Sequence, residues 1–112
     1  MYSITVRNNI LIAHSLPGEV FGPAQNMHGA TYVVDAEFFA KKVNEYNIIM
    51  DLGVVTNILA EVLKFYSYKN LDDIDEFNGI ITSTEFLAND IYERICLRLK
   101  NDYLDDYHQL HK

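Results

Sequence analysis

Histidine and cysteine are the residue types in this chain best suited to metal binding or nucleophilic chemistry, and they are few. There are four histidines and one cysteine, Cys96, which cannot form a disulfide within the chain. His108 and His111 are spaced for one face of a helix, as a metal site would require, but we interpret them as solvated terminal side chains. His14 and His28 lie on either side of a loop, so their role depends on the elements that position them.

Two stretches of alternating apolar and polar residues predict β-strands. The first spans residues 2–16 and places His14 on the same side as Ile10 and Ile12. A loop rich in glycine and proline follows. The second strand, at about 30–42, is predicted to pair antiparallel with the first. The short apolar run at 48–50 either extends this sheet or leads into the next element.

In the second half of the chain the apolar residues recur every three and four positions, which predicts two helices. The first helix spans about 53–66 and the second about 84–100. The second begins at Thr82-Ser83-Thr84-Glu85, a capping box of the Thr-x-x-Glu type. Its predicted buried stripe consists of Leu87, Ile91, Ile95 and Leu99. We therefore predict a single domain over 1–100 and a polar tail over 101–112 with no further strand.

Composition excludes two classes of function. Sixteen Asp and Glu against nine Lys and Arg give a net charge of −7, whereas proteins that bind nucleic acids present basic surfaces to phosphate. No apolar run approaches the roughly 20 residues needed to cross a bilayer. With a single cysteine and no secretion signal at the amino terminus, we expect a cytoplasmic protein.

Five short motifs follow one another between residues 12 and 88. They are Ile12-Ala13-His14-Ser15-Leu16, His28-Gly29-Ala30-Thr31-Tyr32, Ile49-Met50-Asp51-Leu52-Gly53, Lys69-Asn70-Leu71-Asp72, and the segment from Ile81 to Ala88. In this order they resemble the 6-pyruvoyl-tetrahydropterin synthase / 6-carboxytetrahydropterin synthase family. The resemblance implies an α+β tunnelling fold, an antiparallel β-sheet with two helices packed on one face.

The resemblance implies that His14 and His28 are zinc ligands, because they match two of the family's three metal-binding histidines. The third matches Ala30. Two imidazoles alone hold zinc weakly, so zinc as a cofactor requires a substitute ligand, such as a carboxylate, water or the substrate. The alternative is that His14 and His28 are hydrogen-bonded strand residues left from a former metal site.

The family's proton-transfer groups are also replaced. Its catalytic Asp-His pair matches Ser67 and Tyr68, and its catalytic cysteine matches a position near Ala24. Alanine cannot act as a base, and tyrosine, with an ordinary pKa near 10, transfers protons poorly at neutral pH. Tyr68 is therefore the candidate catalytic residue, and the alternative is an aromatic side chain packed at the end of the first helix.

Glu85 matches the glutamate that anchors the pterin ring in the family. A carboxylate can accept hydrogen bonds from a ring N–H and the adjacent amino group of a pterin or guanine in one paired arrangement. The alternative is the capping box, in which Glu85 would bond a backbone amide at the start of the second helix. Both roles hold together if this helix start borders the pocket.

The resemblance thus implies a pterin-family synthase or lyase homologue that acts on a dihydroneopterin triphosphate-like substrate, with zinc as Lewis acid. The alternatives are a non-catalytic pterin- or purine-binding module and a structural or interaction subunit that keeps only the fold. The resemblance also implies a homo-oligomer, a trimer or hexamer. The family's two carboxy-terminal strands have no predicted counterpart in this chain.

Overall fold

The computed structural model describes residues 1–102 and 110–111, and its longest feature is a two-stranded antiparallel ladder. β1 spans Tyr2–His14 and β2 spans His28–Ala40. The ladder is paired throughout, from Tyr2 opposite Ala40 to His14 opposite His28. β1 ends two residues before the predicted position because the chain turns into the loop, where the Leu16 amide donates to the Ala24 carbonyl at 3.0 Å.

Two helices follow, α1 over Leu52–Leu63 and α2 over Thr84–Asp102. The Asp51 side chain caps α1 by accepting from the Gly53 amide at 3.0 Å. α1 ends three residues before the predicted position, at Leu63, because the amides of Phe65 and Tyr66 bond carbonyls only three residues back. This tighter 3₁₀ geometry is common in the last turn of a helix.

The core lies between the helices and one face of the ladder. α1 packs on β1 and on α2, and the predicted stripe of α2 is confirmed: Leu87, Ile91, Ile95 and Leu99 are all buried. The apolar run at 48–50 does not form a strand. Ile49 and Met50 are instead buried in the core from the loop that precedes α1.

Two short strands flank the ladder and make the sheet mixed rather than purely antiparallel. β3, Lys69–Asn70, pairs parallel with Ile12 and Ala13 of β1. β4, Leu110–His111, pairs antiparallel with Phe39 and Ala40 of β2, so the strand order is β3-β1-β2-β4.

The prediction of a tail without a strand was wrong. α2 continues to Asp102 and β4 follows, and a two-residue strand is too short to show an alternating pattern. His111 lies in β4, whereas His108 lies outside the described residues. None of the helices within the described residues combines the length and the apolar character needed to cross a membrane.

Candidate functional site

The imidazoles of His14 and His28 meet at the end of the β1–β2 ladder where the connecting loop joins the two strands. The two residues are register partners, so their side chains lie on the same face of the sheet. Their ring centroids are 4.6 Å apart and the rings meet edge to face at 64°. The structure therefore brings together the two histidines that the sequence motifs single out.

His14 is buried, with 2% of its surface exposed, and its Nδ1 lies 3.0 Å from Oγ1 of Thr82. Within the described residues, no side-chain nitrogen or oxygen is both buried and without a hydrogen-bond partner. No hydrogen bond to the other ring nitrogen, Nε2, is found within the described residues. His14 is thus held at its Nδ1 side by Thr82.

His28 is held by its own loop. Its Nδ1 lies 2.9 Å from the carbonyl oxygen of Asn26. Because a carbonyl only accepts, Nδ1 carries the proton in the neutral ring and Nε2 keeps its lone pair. A backbone carbonyl bonded to the far ring nitrogen is the usual support for a metal-binding histidine.

The surroundings favour a neutral His14. Burial lowers the pKa of His14 below its ordinary value, and the nearby His28 lowers it further. Contacts with Thr82 and Asp72 oppose this shift without reversing it. A neutral imidazole is the form that binds metals.

Asp72 fixes the chain directly after His14, a role that sequence motifs do not reveal. Its carboxylate accepts from the Ser15 hydroxyl at 2.6 Å and from the Ser15 amide at 3.2 and 3.3 Å. The Asn70 side chain in turn accepts from the Asp72 amide at 3.0 Å. The end of β1 is therefore tied to the segment after α1.

Ala30, at the position where the sequence motifs lead us to expect a third metal ligand, pairs with Ile12 on the same face as the two histidines. Within the described residues there is no cluster of three or more His, Cys, Asp or Glu side chains placed to hold a metal. Within the part of the chain that the structure describes, the donor set at this place is therefore two imidazole nitrogens. It fits zinc as two of the ion's ligands and leaves the remaining positions to water or a bound molecule.

Tyr68 is not a packed aromatic residue, which was the alternative interpretation of the sequence. Its side chain is 84% exposed and its backbone is left-handed, with φ 60°. The Tyr68 amide donates to the Leu11 carbonyl at 2.6 Å, which starts the pairing that β3 continues. The buried aromatic residue at the end of α1 is Tyr66 instead, with no exposed surface.

The cap of α2 also differs from the prediction. The Ser83 hydroxyl, rather than that of Thr82, accepts from a helix amide, that of Phe86 at 3.1 Å. The capping box is therefore shifted by one residue, which puts Phe86 at the box's glutamate position. Glu85 is exposed in the first turn of α2 and makes no hydrogen bond or ion pair with another described residue.

A cavity of about 340 Å³ lies between β2 and α2. Apolar side chains make up most of its wall, and neither histidine nor Glu85 lines it. Tyr32, which does line it, has its ring centroid 6.4 Å from that of His14. The cavity therefore adjoins the histidine pair without including it.

The fold and the histidine pair place the chain in a class of α+β proteins with helices on one face of a long hairpin. The family model of 6-pyruvoyl tetrahydropterin synthase matches residues 3–108, and the chain belongs to this family. It is 29% identical over 85 residues to the 6-pyruvoyl tetrahydrobiopterin synthase of Dictyostelium discoideum. That match covers 74% of this chain, and the chain spans 63% of the relative's length.

The fold is also similar to that of a solved structure, the 6-pyruvoyl tetrahydropterin synthase of Caenorhabditis elegans. The TM-score is 0.77 and the sequences are 22% identical, over 84% of this chain and 76% of the other. The tunnelling-type α+β fold expected from the sequence motifs is confirmed by this likeness.

Proposed function

We propose that this protein is a pterin synthase-like protein that binds a pterin or purine-type heterocycle beside the His14–His28 pair, with Glu85 as the recognition group. The observation that carries the proposal is the meeting of the two imidazoles, 4.6 Å apart, against the segment that leads into α2. Thr82 contacts His14, and Glu85 follows three residues later in the first helical turn.

Glu85 suits this role because its carboxylate is not used by the fold. Ser83 caps the helix, so Glu85 is left exposed and able to accept two hydrogen bonds from a ring N–H and its neighbouring amino group. Lying in the first turn of α2, the carboxylate is also favoured by the helix dipole.

His14 and His28 would hold zinc through their Nε2 atoms. Zinc bound there supplies Lewis-acid polarisation of a ligand oxygen. The chain's own contribution is to orient both rings, since Thr82 and the Asn26 carbonyl contact the two Nδ1 atoms. Proton transfer in a synthase or lyase reaction would fall to Tyr68, whose side chain is exposed and whose backbone amide is bonded to β1.

A second function, binding without catalysis, is favoured by a specific observation. Alanine stands near the position of the family's cysteine, and the Tyr68 side chain extends into solvent rather than into a protected site. A protein that keeps Glu85 and loses these groups would recognise the ligand without converting it. We further propose a homo-oligomer, a trimer or hexamer, in the cytoplasm.

The test combines metal analysis, ligand titration and turnover. We expect one zinc per subunit by elemental analysis, and binding of dihydroneopterin triphosphate that Glu85→Gln weakens by roughly 10-fold or more, the range for a lost hydrogen bond to a charged group. Glu93→Gln, an exposed glutamate on the same helix, is the matched control.

Release of triphosphate with zinc present would establish the synthase activity. Tight binding without turnover would establish the non-catalytic module. If neither ligand nor metal binds, the proposal is wrong and a structural subunit remains.

A further inference from the structure

Within the part of the chain that the structure describes, His14 and Thr82 are the buried polar side chains, each with 2% of its surface exposed. They are 68 positions apart in sequence and face each other at 3.0 Å. A buried hydroxyl and a buried imidazole each need a partner, so this contact satisfies both. It joins the end of β1 to the start of α2.

We propose that Thr82 is a positioning residue whose hydroxyl accepts the Nδ1–H of His14 and so fixes the tautomer that leaves Nε2 free to bind a metal. The claim about the His14 tautomer is argued from the geometry of the metal-free protein. The claim that Nε2 binds a metal rests on the proposed function.

The alternative tautomer would have Thr82 donating to Nδ1 and a proton on Nε2, and such a ring cannot ligate a metal through Nε2. Three observations favour the first arrangement. Within the described residues, Nε2 of His14 has no acceptor to which a proton on that nitrogen could be donated. His28, the register partner of His14, directs its Nδ1 proton at the Asn26 carbonyl. In the first arrangement both rings therefore carry their proton on Nδ1.

The third observation concerns Ser83. The Ser83 hydroxyl caps α2 by accepting from the Phe86 amide. The Thr82 hydroxyl is therefore not needed as the cap of this helix. The two adjacent hydroxyls thus have separate partners. The Ser83 hydroxyl caps the start of α2, and the Thr82 hydroxyl contacts the imidazole of His14. The contact with Thr82 therefore joins the start of α2 to the end of β1 and restricts the orientation of the imidazole.

Long-range ¹H–¹⁵N NMR of the metal-free protein tests the tautomer directly. We expect His14 in the wild type to be protonated on Nδ1, and Thr82→Val to produce a mixture of tautomers or the Nε2–H form. Thr82→Ser keeps a hydroxyl and should restore the wild-type spectrum. Thr84→Val is the control, because the Thr84 hydroxyl lies near the Tyr32 phenol rather than either imidazole.

Zinc titration tests the metal part. Removal of a supporting contact to a metal-binding histidine typically lowers metal affinity 10–100-fold, so we expect about a 10-fold loss in Thr82→Val, recovery in Thr82→Ser and no change in Thr84→Val. A wild-type His14 with its proton on Nε2 would overturn the inference, and this result does not depend on whether Thr82→Val folds.

The two proposals fail in different ways. If the wild type binds no zinc but shows the Nδ1–H tautomer in a Thr82-dependent manner, the metal function is wrong and the positioning role stands. If zinc binds equally well to the wild type and to a folded Thr82→Val, the positioning role is wrong and the metal function stands.

Discussion

The Ser83 hydroxyl accepts a hydrogen bond from the Phe86 amide at 3.1 Å, and it thereby caps α2 one residue later than the sequence motif predicts. This relationship decides what Glu85 does in the folded chain. A glutamate at the third helical position would complete the capping box, whereas Glu85 lies one position earlier and takes no part in it.

Ser83→Ala should therefore lower the free energy of unfolding by about 1 kcal/mol, the usual cost of losing a cap. Glu85→Gln should cost less than Ser83→Ala, because Glu85 makes no hydrogen bond or ion pair with another described residue and the variant loses only the interaction of the carboxylate with the helix dipole. Urea denaturation of the two variants checks this. A larger loss in Glu85→Gln than in Ser83→Ala would show that Glu85 is the capping residue after all.

Tyr66 and Tyr68 provide a matched pair for a second prediction. The Tyr66 hydroxyl donates to the Asp90 carboxylate, and burial, with Asp90 as a further cause, raises the pKa of Tyr66 well above its ordinary value. Asp90 also accepts from Arg94 at 2.9 Å, so the phenol belongs to a partly buried network.

Tyr66→Phe should cost about 2 kcal/mol of unfolding free energy, as expected for a hydrogen bond to a charged group. Tyr68→Phe should cost nothing measurable, since the Tyr68 side chain is 84% exposed. Thermal denaturation followed by circular dichroism compares the two. Equal melting temperatures would contradict the proposed importance of the network.

A third prediction concerns pH. The folded state lowers the pKa of His14 below its unfolded value near 6.5, chiefly through burial and then through His28. The unfolded state therefore binds more protons at mildly acidic pH, and the stability that neutral His14 contributes is present above about pH 6.5 and is lost as pH falls through the folded pKa.

In metal-free buffer, the free energy of unfolding should decrease more steeply between pH 7.5 and 5.5 in the wild type than in His14→Gln. The carboxylates titrate in both proteins, so the difference between the two curves reports His14. Parallel curves would mean that His14 gains its proton as easily in the folded chain as in the unfolded one.

Leu87 and Leu97 test the packing of α2. Leu87 lies in the buried stripe with 3% of its surface exposed, and Leu97 is 58% exposed on the same helix. Leu87→Ala should cost about 3 kcal/mol, within the range for buried leucines, and Leu97→Ala far less. Guanidinium denaturation measures both, and similar losses would show that the outer side of α2 is covered in solution.

The sequence predicted those parts of the molecule that depend on repeated local patterns. Alternation placed Ile10, Ile12 and His14 on one face of β1, and the helical period gave the stripe from Leu87 to Leu99. These features are predictable because the buried positions of a strand or helix recur at a fixed spacing, so apolar residues recur at the same spacing in the sequence.

Features that depend on single long-range contacts were not predictable from the sequence. Nothing local marks Thr82 as the partner of His14, because the two are 68 positions apart and the motif around Thr82 reads equally well as a helix cap. The alternative that Tyr68 is a packed aromatic residue was wrong for a related reason. Its left-handed backbone, φ 60°, follows from the turn into β3 rather than from its residue type.

The direct pairing of His14 with His28 constrains how this hairpin can change length. Strand faces alternate with every residue, so inserting or deleting one residue between Ile10 and His14 would turn the imidazole of His14 to the opposite face of the sheet. A change of two residues would restore the face but move the ring along the ladder. The site therefore tolerates substitution of one apolar residue for another in these strands far better than it tolerates an insertion or a deletion.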